Sequence, residues 1–456
     1  MSDYAAMVEA QRAFFQSGRT KALAYRLDAL QRLGDAVRAH ELAIMEALRT
    51  DLNKSEFEAY ATEVGVVLKE IRYVLRRLRK WARPRKVGAP LTHIGSASYI
   101  HPEPYGVALI ISPWNFPFQL ALAPLIGAIA AGNCAVVKPS ELTPHTSAVI
   151  GRIVREAFAP GHVDVAPGGV ETSQALLAKP FDYIFFTGGT EVGRKVMEAA
   201  ARQLTPVTLE LGGKSPCIVA ADARLKLAAK RIVWGKFLNA GQTCIAPDYV
   251  YVHRSVHDQL VTHMKEAIEE MFGAQHVKDG LFTRIVNDRH FRRLLALMQQ
   301  GDIVHGGTSD AALLTIEPTL ITGITWEAAI MQEEIFGPLL PIMPFDSLED
   351  ASREIAGRPK PLALYVFTQD TETERRIIER VPFGGGCVND TIFHFTSPEL
   401  PFGGVGASGM GAYHGRHSFD AFSHNKSVLK QTTLFDIPFR YPHVKHALKL
   451  LRRLLR

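Results

Sequence analysis

The 456-residue sequence predicts an α/β fold with two doubly wound units. Three observations carry this. From residue 106, short apolar runs alternate with helix-length stretches: "GVALIIS" (106–112), "CAVVKPS" (134–140), "VDVAPG" (163–168), "YIFFTG" (183–188) and "VTLELGG" (207–213). The ends of these runs are polar or glycine-rich ("SPWN", "KPSE", "PGG", "TGGT", "ELGG"), as expected where a doubly wound sheet binds its ligand. A second alternation runs from "PCIVA" (216–220) through "YVYV" (249–252), "LLPIMPF" (339–345) and "LALYVF" (362–367) to "GGCVND" (385–390). The chain is also too long for one ordinary core.

The first eighty residues read as helices. Leu23, Leu27, Leu30 and Val37 keep helical spacing, as do Val64, Val67, Leu68, Ile71, Leu75 and Leu78, until Pro84 and Pro90 break the pattern. "HIGSASYIHPEP" reads as an extended arm suited to an edge strand. The stretch from Pro401 is dense in glycine and aromatics and has no regular period. The expected division is a cofactor-binding domain over 1–85 and 105–211 and a catalytic domain over 212–395. A bridging or oligomerisation segment takes 86–104 and 396–430, and a basic tail 431–456.

Composition narrows the function. Apolar residues make up 47% and charged residues 21%, the balance of a soluble globular protein. Four cysteines at irregular spacing suit neither a disulfide framework nor a zinc site, so free thiols, a reducing compartment and no metal are expected. The N-terminus lacks the basic start and apolar core of a signal peptide. The most apolar run, "LALAPLIGAIAA" (120–131), is shorter than the ~20 residues a membrane span needs. A cytoplasmic protein is the expectation. The net charge of +6 is modest, and the basic clusters at 76–86 and 445–456 carry no nucleic-acid-reading motif.

Four motifs carry candidate chemistry, each with a plainer alternative. In "FLNAGQTCIAPDYV", Leu238 and Ala240 read as the end of a buried helix. Cys244 falls on the polar turn after it, where exposure and backbone N–H groups favour a reactive thiol. Cys134, Cys217 and Cys387 sit in apolar runs and read as inert core. In "TLELGGKSP", Glu210 is either an edge-strand carboxylate facing water or a partly desolvated general base. In "SPWNFPF", Asn115 either caps the next helix or aims its amide at a developing oxyanion. In "FTGGTEVG", Gly188 and Gly193 flank a strand-to-helix turn. The usual dinucleotide fingerprint is absent, yet glycines there let a pyrophosphate approach helix N–H groups; a plain tight turn reads equally well.

Taken together, "PWNFP", "KPSE", "FTGGTEVG", "LELGGKSP", "GQTC", "QEEIFGP" and "LPFGGVGASGMG" resemble the aldehyde dehydrogenase superfamily in both content and order, over roughly residues 100–415. "GQTCIAPDY", "GMGAYHGRHSFDAFSH" and the short N-terminal region are similar to its class 3 branch, which takes fatty and aromatic aldehydes. The resemblance implies two Rossmann-like domains and NAD(P)-dependent oxidation of an aldehyde to an acid. By it, Cys244 is the nucleophile, Asn115 and the Cys244 N–H stabilise the oxyanion, and Glu210 activates the hydrolytic water. It also implies that Lys138 and Glu141 hold the adenosine ribose and that Gly188, Gly189 and Gly193 form the pyrophosphate turn. Gly189 stands where many members have serine. Trp114 would line the cofactor cleft, and Glu334 and Phe336 would contact the nicotinamide ribose. A carboxylate at Glu141 favours NAD, although the branch often accepts NADP. A homodimer is implied.

Two rivals remain: a cysteine esterase with no redox step, and a non-catalytic protein on this fold. For substrate choice, Tyr60 and the stretch 390–398 are expected to shape the pocket, for a fatty or a coniferyl-type aldehyde. At the C-terminus, Val444, Ala447, Leu448, Leu451, Leu454 and Leu455 fall on one helical face, with basic residues mostly on the other. That face either packs on protein or rests weakly on an anionic membrane surface.

Overall fold

The computed structural model describes residues 4–273, 282–441 and 443–455. Its centre is two open, mostly parallel sheets with helices on their faces. The α/β class and the two doubly wound units are as the alternating runs predict.

The first sheet has six strands in the order Gly409–Met410, Val207–Glu210, Tyr183–Thr187, Val107–Ile111, Cys134–Lys138 and Val163–Val165. All pairs are parallel except the first, where Gly409 lies opposite Glu210. Val107–Ile111 and Cys134–Lys138 are buried on both faces, which is why they read as unbroken apolar runs. The helix Gln119–Ala131 between them is buried along its whole length.

The second sheet has seven strands in the order Asp302–His305, Thr319–Thr322, Leu339–Phe345, Tyr249–His253, Pro216–Val219, Ala363–Phe367 and Gly385–Val388. Only Asp302–His305 runs antiparallel to its neighbour. The helices Leu23–Ala39, Glu41–Leu52 and Gly65–Trp81 precede the first sheet in the chain and pack beside it. A five-residue π-helical turn, Tyr60–Val64, leads into the last of them. A separate three-stranded antiparallel sheet has the order Arg85–Val87, Ser96–Pro104 and Ser423–Gln431, so the arm "HIGSASYIHPEP" forms the central strand and not the expected edge, because both neighbours pair with it.

The sequence around Cys244 departs from its expected local form. The α-helix ends at Phe237, so Leu238 and Ala240 lie beyond it. Asn239, Ala240 and Gly241 instead take left-handed backbone, with φ of 54°, 52° and 71°. At Gly241 this is enforced by packing, because a Cβ there would overlap the carbonyl of Gly337.

Candidate active site

Three left-handed residues in a row turn the chain sharply and deliver Thr243 and Cys244 to the wall of a cavity. Such backbone is costly and persists only where its surroundings hold it. Here Gln242, fully buried, does much of the holding: its Nε2 donates to Arg284 O at 3.0 Å and its Oε1 accepts from Val286 N at 3.1 Å. Asn239 N donates to Glu58 Oε1 at 2.7 Å.

The cavity measures about 330 Å³. Cys244 and Glu210 both line it, with Phe57, Phe116, Trp234 and Phe393 among its apolar walls. Glu210 ends its strand 2% exposed, and neither carboxylate oxygen has a hydrogen-bond partner among the described residues. Burial pushes its carboxyl well above the usual range. Cys244 keeps an open face to the cavity, yet the cavity is deep enough for burial to push its thiol up. The nearby Glu334 and Glu210 add to the shift.

Asn115 is buried against the cysteine turn. It is 2% exposed, and its Nδ2 donates to Gln242 O at 3.0 Å, two residues before Cys244. Glu334 rests against Gly212, where a Cβ would overlap its carboxylate, and its Oε1 has no hydrogen-bond partner among the described residues. Burial and then the Asp248 charge push Glu334 up to about 8. Phe336, at φ 49°, packs edge-on to Trp114 with ring centres 5.3 Å apart.

The remaining predicted residues sit at the ends of the first sheet's strands. Lys138 Nζ donates to Glu141 Oε2 at 2.7 Å. Burial raises the Glu141 carboxyl, but the Lys138 bond and charge outweigh it, so Glu141 stays below the usual range. Gly189 caps the helix Thr190–Ala201 without a side-chain hydrogen bond, and its own Cβ position faces open space. Gly188 is needed because a Cβ would press into the Phe186 ring. Gly193 is needed for packing, since a Cβ would overlap the Leu211 side chain.

Several residues at the site carry no clear sequence signal. Glu58, Lys54 and Glu63 come from the helical N-terminal region, outside the motifs quoted above. Trp234 lines the cavity from a segment without a motif, and Tyr413 from within "GMGAYHGRHSFDAFSH", where nothing local singles it out. Lys236 is fully buried with its Nζ unpartnered, and burial lowers it to about 8. Of the expected pocket residues, Ile392, Phe393, Phe395 and Thr396 do line the Cys244 cavity. Tyr60 does not; it lines an adjoining cavity of about 230 Å³.

Comparison with known proteins identifies the family. The sequence model of the aldehyde dehydrogenase family matches residues 1–428. The chain is 48% identical to the 4,4'-diaponeurosporen-aldehyde dehydrogenase of Staphylococcus aureus, covering 97% of this chain and 96% of that one. It is 44% identical to the dimeric NADP-preferring aldehyde dehydrogenase of Canis lupus familiaris, over 97% of this chain and 98% of that one. A solved structure of Staphylococcus aureus AldH in its substrate-bound state superposes with a TM-score of 0.98 at 47% identity, covering both chains completely. The chain belongs to the aldehyde dehydrogenase family and is an NAD(P)-dependent enzyme that oxidises aldehydes.

Proposed function

We propose that Cys244 is the nucleophile, Glu210 the base for hydrolysis and Asn115 the oxyanion donor. The observation that carries this is the shared apolar cavity, in which Glu210 presents two unpartnered oxygens beside the thiol wall. The Cys244 thiol gives its proton to solvent, and the thiolate adds to the aldehyde carbon while the carbonyl oxygen becomes an oxyanion. Asn115 Nδ2 and the Cys244 N–H stabilise that charge, an effect worth ~3 kcal/mol for one such donor. Bound NAD(P)+ supplies the acceptor for the hydride that leaves this carbon. A thioester remains on Cys244. Glu210 then takes a proton from water as it attacks, the C–S bond breaks, and the acid leaves with the thiolate restored.

The residues at the strand ends fit the cofactor. The uncapped start of the helix Thr190–Ala201 leaves backbone N–H groups free for a pyrophosphate, and open space at Gly189 lets it approach. Lys138 and Glu141 would hold the adenosine ribose. Glu334, with a free Oε1, would hold the nicotinamide ribose beside Phe336 and Trp114. The ionised Glu141 supports NAD as the preferred form, with NADP accepted.

The apolar walls support a medium- or long-chain aliphatic or an aromatic aldehyde as substrate. The domain division follows the strands: 1–85 with 105–211 for the cofactor, 212–395 for catalysis, 86–104 with 396–430 as a bridge, and 431–456 as tail. The strand Gly409–Met410 is the part of the bridge that joins the cofactor sheet. Ser423–Gln431 is an edge strand with Val428 and Leu429 exposed, which supports pairing with a second subunit. A monomer in light scattering at micromolar concentration would contradict the dimer. No helix among the described residues is long and apolar enough to cross a membrane. In the tail helix Ala447–Leu454, Leu448 is 62% exposed and Leu455 just beyond it 73% exposed, beside Lys449, Arg452 and Arg453. This supports weak, salt-sensitive binding of a cytoplasmic enzyme to anionic vesicles. The binding should disappear when residues 444–456 are deleted, and equal binding by the truncated protein would rule the tail out.

The catalytic reading is tested by two variants. Cys244→Ala should abolish NAD(P)H formation. Glu210→Gln should keep a single-turnover burst while steady turnover collapses. Loss of the burst as well would place Glu210 earlier in the reaction.

A further inference from the structure

Asn115 and the Cys244 turn lie on different α/β units, yet one closed set of buried hydrogen bonds ties them together. At its base is an ion pair. Lys54 Nζ lies 2.6 Å from Glu63 Oε1, and both side chains are fully buried. Lys54 Nζ also donates to the backbone oxygen of Asn115 at 3.1 Å and stands 4.1 Å from the centre of the Phe116 ring. Glu63 uses its other oxygen, Oε2, to accept from Phe118 N at 3.0 Å and Gln119 N at 2.8 Å. The backbone from Asn115 to Gln119 is thus gripped by one pair.

The same Asn115 oxygen takes a second donor, Asn239 Nδ2, at 2.9 Å. Asn239 Nδ2 also reaches Gln242 O at 3.0 Å, the carbonyl to which Asn115 Nδ2 donates. The network therefore runs from Glu63 to Lys54, to the Asn115 backbone, to Asn239, to Gln242, and back to the Asn115 amide.

A buried ion pair is weak evidence of a gain in stability. Replacing a buried ion pair by apolar residues of similar size is often neutral or stabilising, because desolvating two charges is costly. The pair also depends on an unusual helix. Glu63 falls in the π-helical turn Tyr60–Val64, whose extra residue rotates the downstream helix by roughly 100° relative to a regular one. Such turns are rare and concentrate at functional sites.

We propose that Lys54 and Glu63 are positioning residues for the reaction, fixing the backbone of Asn115 so that its amide is aimed at the oxyanion formed on Cys244. Asn239 couples that aim to the cysteine turn. The inference rests on the reading of Asn115 as the oxyanion donor.

The test is a mutant cycle on the full-length enzyme, comparing Lys54→Met/Glu63→Gln, Asn115→Ala and the three substitutions combined. The pair and Asn115→Ala should each lower kcat by about 10²-fold, the scale of an oxyanion donor lost or misplaced by ~1 Å. The KM for NAD should change less than about twofold. The combined variant should lose no more than about threefold beyond the worse of the two, because a misaimed amide has nothing left to lose. Losses that multiply would mark general damage and overturn the proposal. A pair variant with wild-type kcat beside a crippled Asn115→Ala would overturn it too, leaving the Asn115 reading intact. An Asn115→Ala variant with wild-type kcat would sink that reading and this inference with it. Should the pair variant not fold, Asn239→Gly removes the other donor to the Asn115 oxygen and keeps the left-handed backbone. It should show the same non-additivity with Asn115→Ala, and multiplying losses there would again overturn the proposal.

Discussion

Gly241 and Gly337 touch backbone to backbone: a side chain on Gly241 would overlap the Gly337 carbonyl oxygen. The cysteine turn and the "EIFGP" turn are therefore packed as one unit. Gly241→Ala should destabilise the protein by about 2–5 kcal/mol, from left-handed strain plus overpacking, and should lower kcat by displacing Cys244. Thermal unfolding and steady-state kinetics check this, and a variant with unchanged Tm would contradict the packing argument.

Cofactor choice should turn on Glu141. Its carboxylate is ionised and pinned by Lys138, so it opposes a ribose 2′-phosphate. Glu141→Gln should raise the ratio of kcat/KM for NADP over NAD by about tenfold, equivalent to ~1.4 kcal/mol. An unchanged ratio would remove Glu141 from the specificity account.

Stability without cofactor should depend on pH through Glu334. Its carboxyl is pushed from the ordinary 4.5 up to about 8 in the folded protein. The folded state thus holds a proton that the unfolded chain releases. That contribution is complete below the unfolded value and is lost as pH rises through the folded one. Between about pH 5 and about pH 8, Tm should fall more steeply for the wild type than for Glu334→Gln. Parallel curves would show that the group does not titrate there.

Trp234 forms part of the cavity wall and stacks obliquely on Phe393, with ring centres 5.5 Å apart. Trp234→Ala should raise KM for long apolar aldehydes by about tenfold, through ~1.5 kcal/mol of lost apolar contact. The KM for acetaldehyde should barely move. A uniform change across chain lengths would place the substrate chain elsewhere.

The legible part of this protein lies in short stretches of sequence. Glu210 and Cys244 each sit where an apolar run meets a polar turn, and that local pattern marks them as candidates, whereas Lys138 enters only through the family resemblance. The doubly wound sheets are legible for the same reason, since strands buried on both faces are unbroken apolar runs. Glu63 and Lys54 cannot be found this way. Glu63 falls four residues before Val67, in phase with the buried stripe of the following helix, but a period alone does not show that a carboxylate there is buried against Lys54. The left-handed Asn239 and Ala240 are equally hidden, because what holds them is Glu58 and Gln242, whose partners are distant in sequence or lie on other segments. Gly409–Met410 is too short to register as a strand at all.

That two-residue strand has a bearing on how the enzyme is made. The strand ending in Glu210 keeps an open edge until residues 409–410 arrive to pair with it. During synthesis the N-terminal part of a chain emerges and begins to fold first. Here the first sheet cannot be completed until the strands of the second have followed it out of the ribosome. Glu210, the proposed base, thus gains its last backbone neighbour only after Cys244, the proposed nucleophile, has been translated, which ties completion of the first sheet to synthesis of the second.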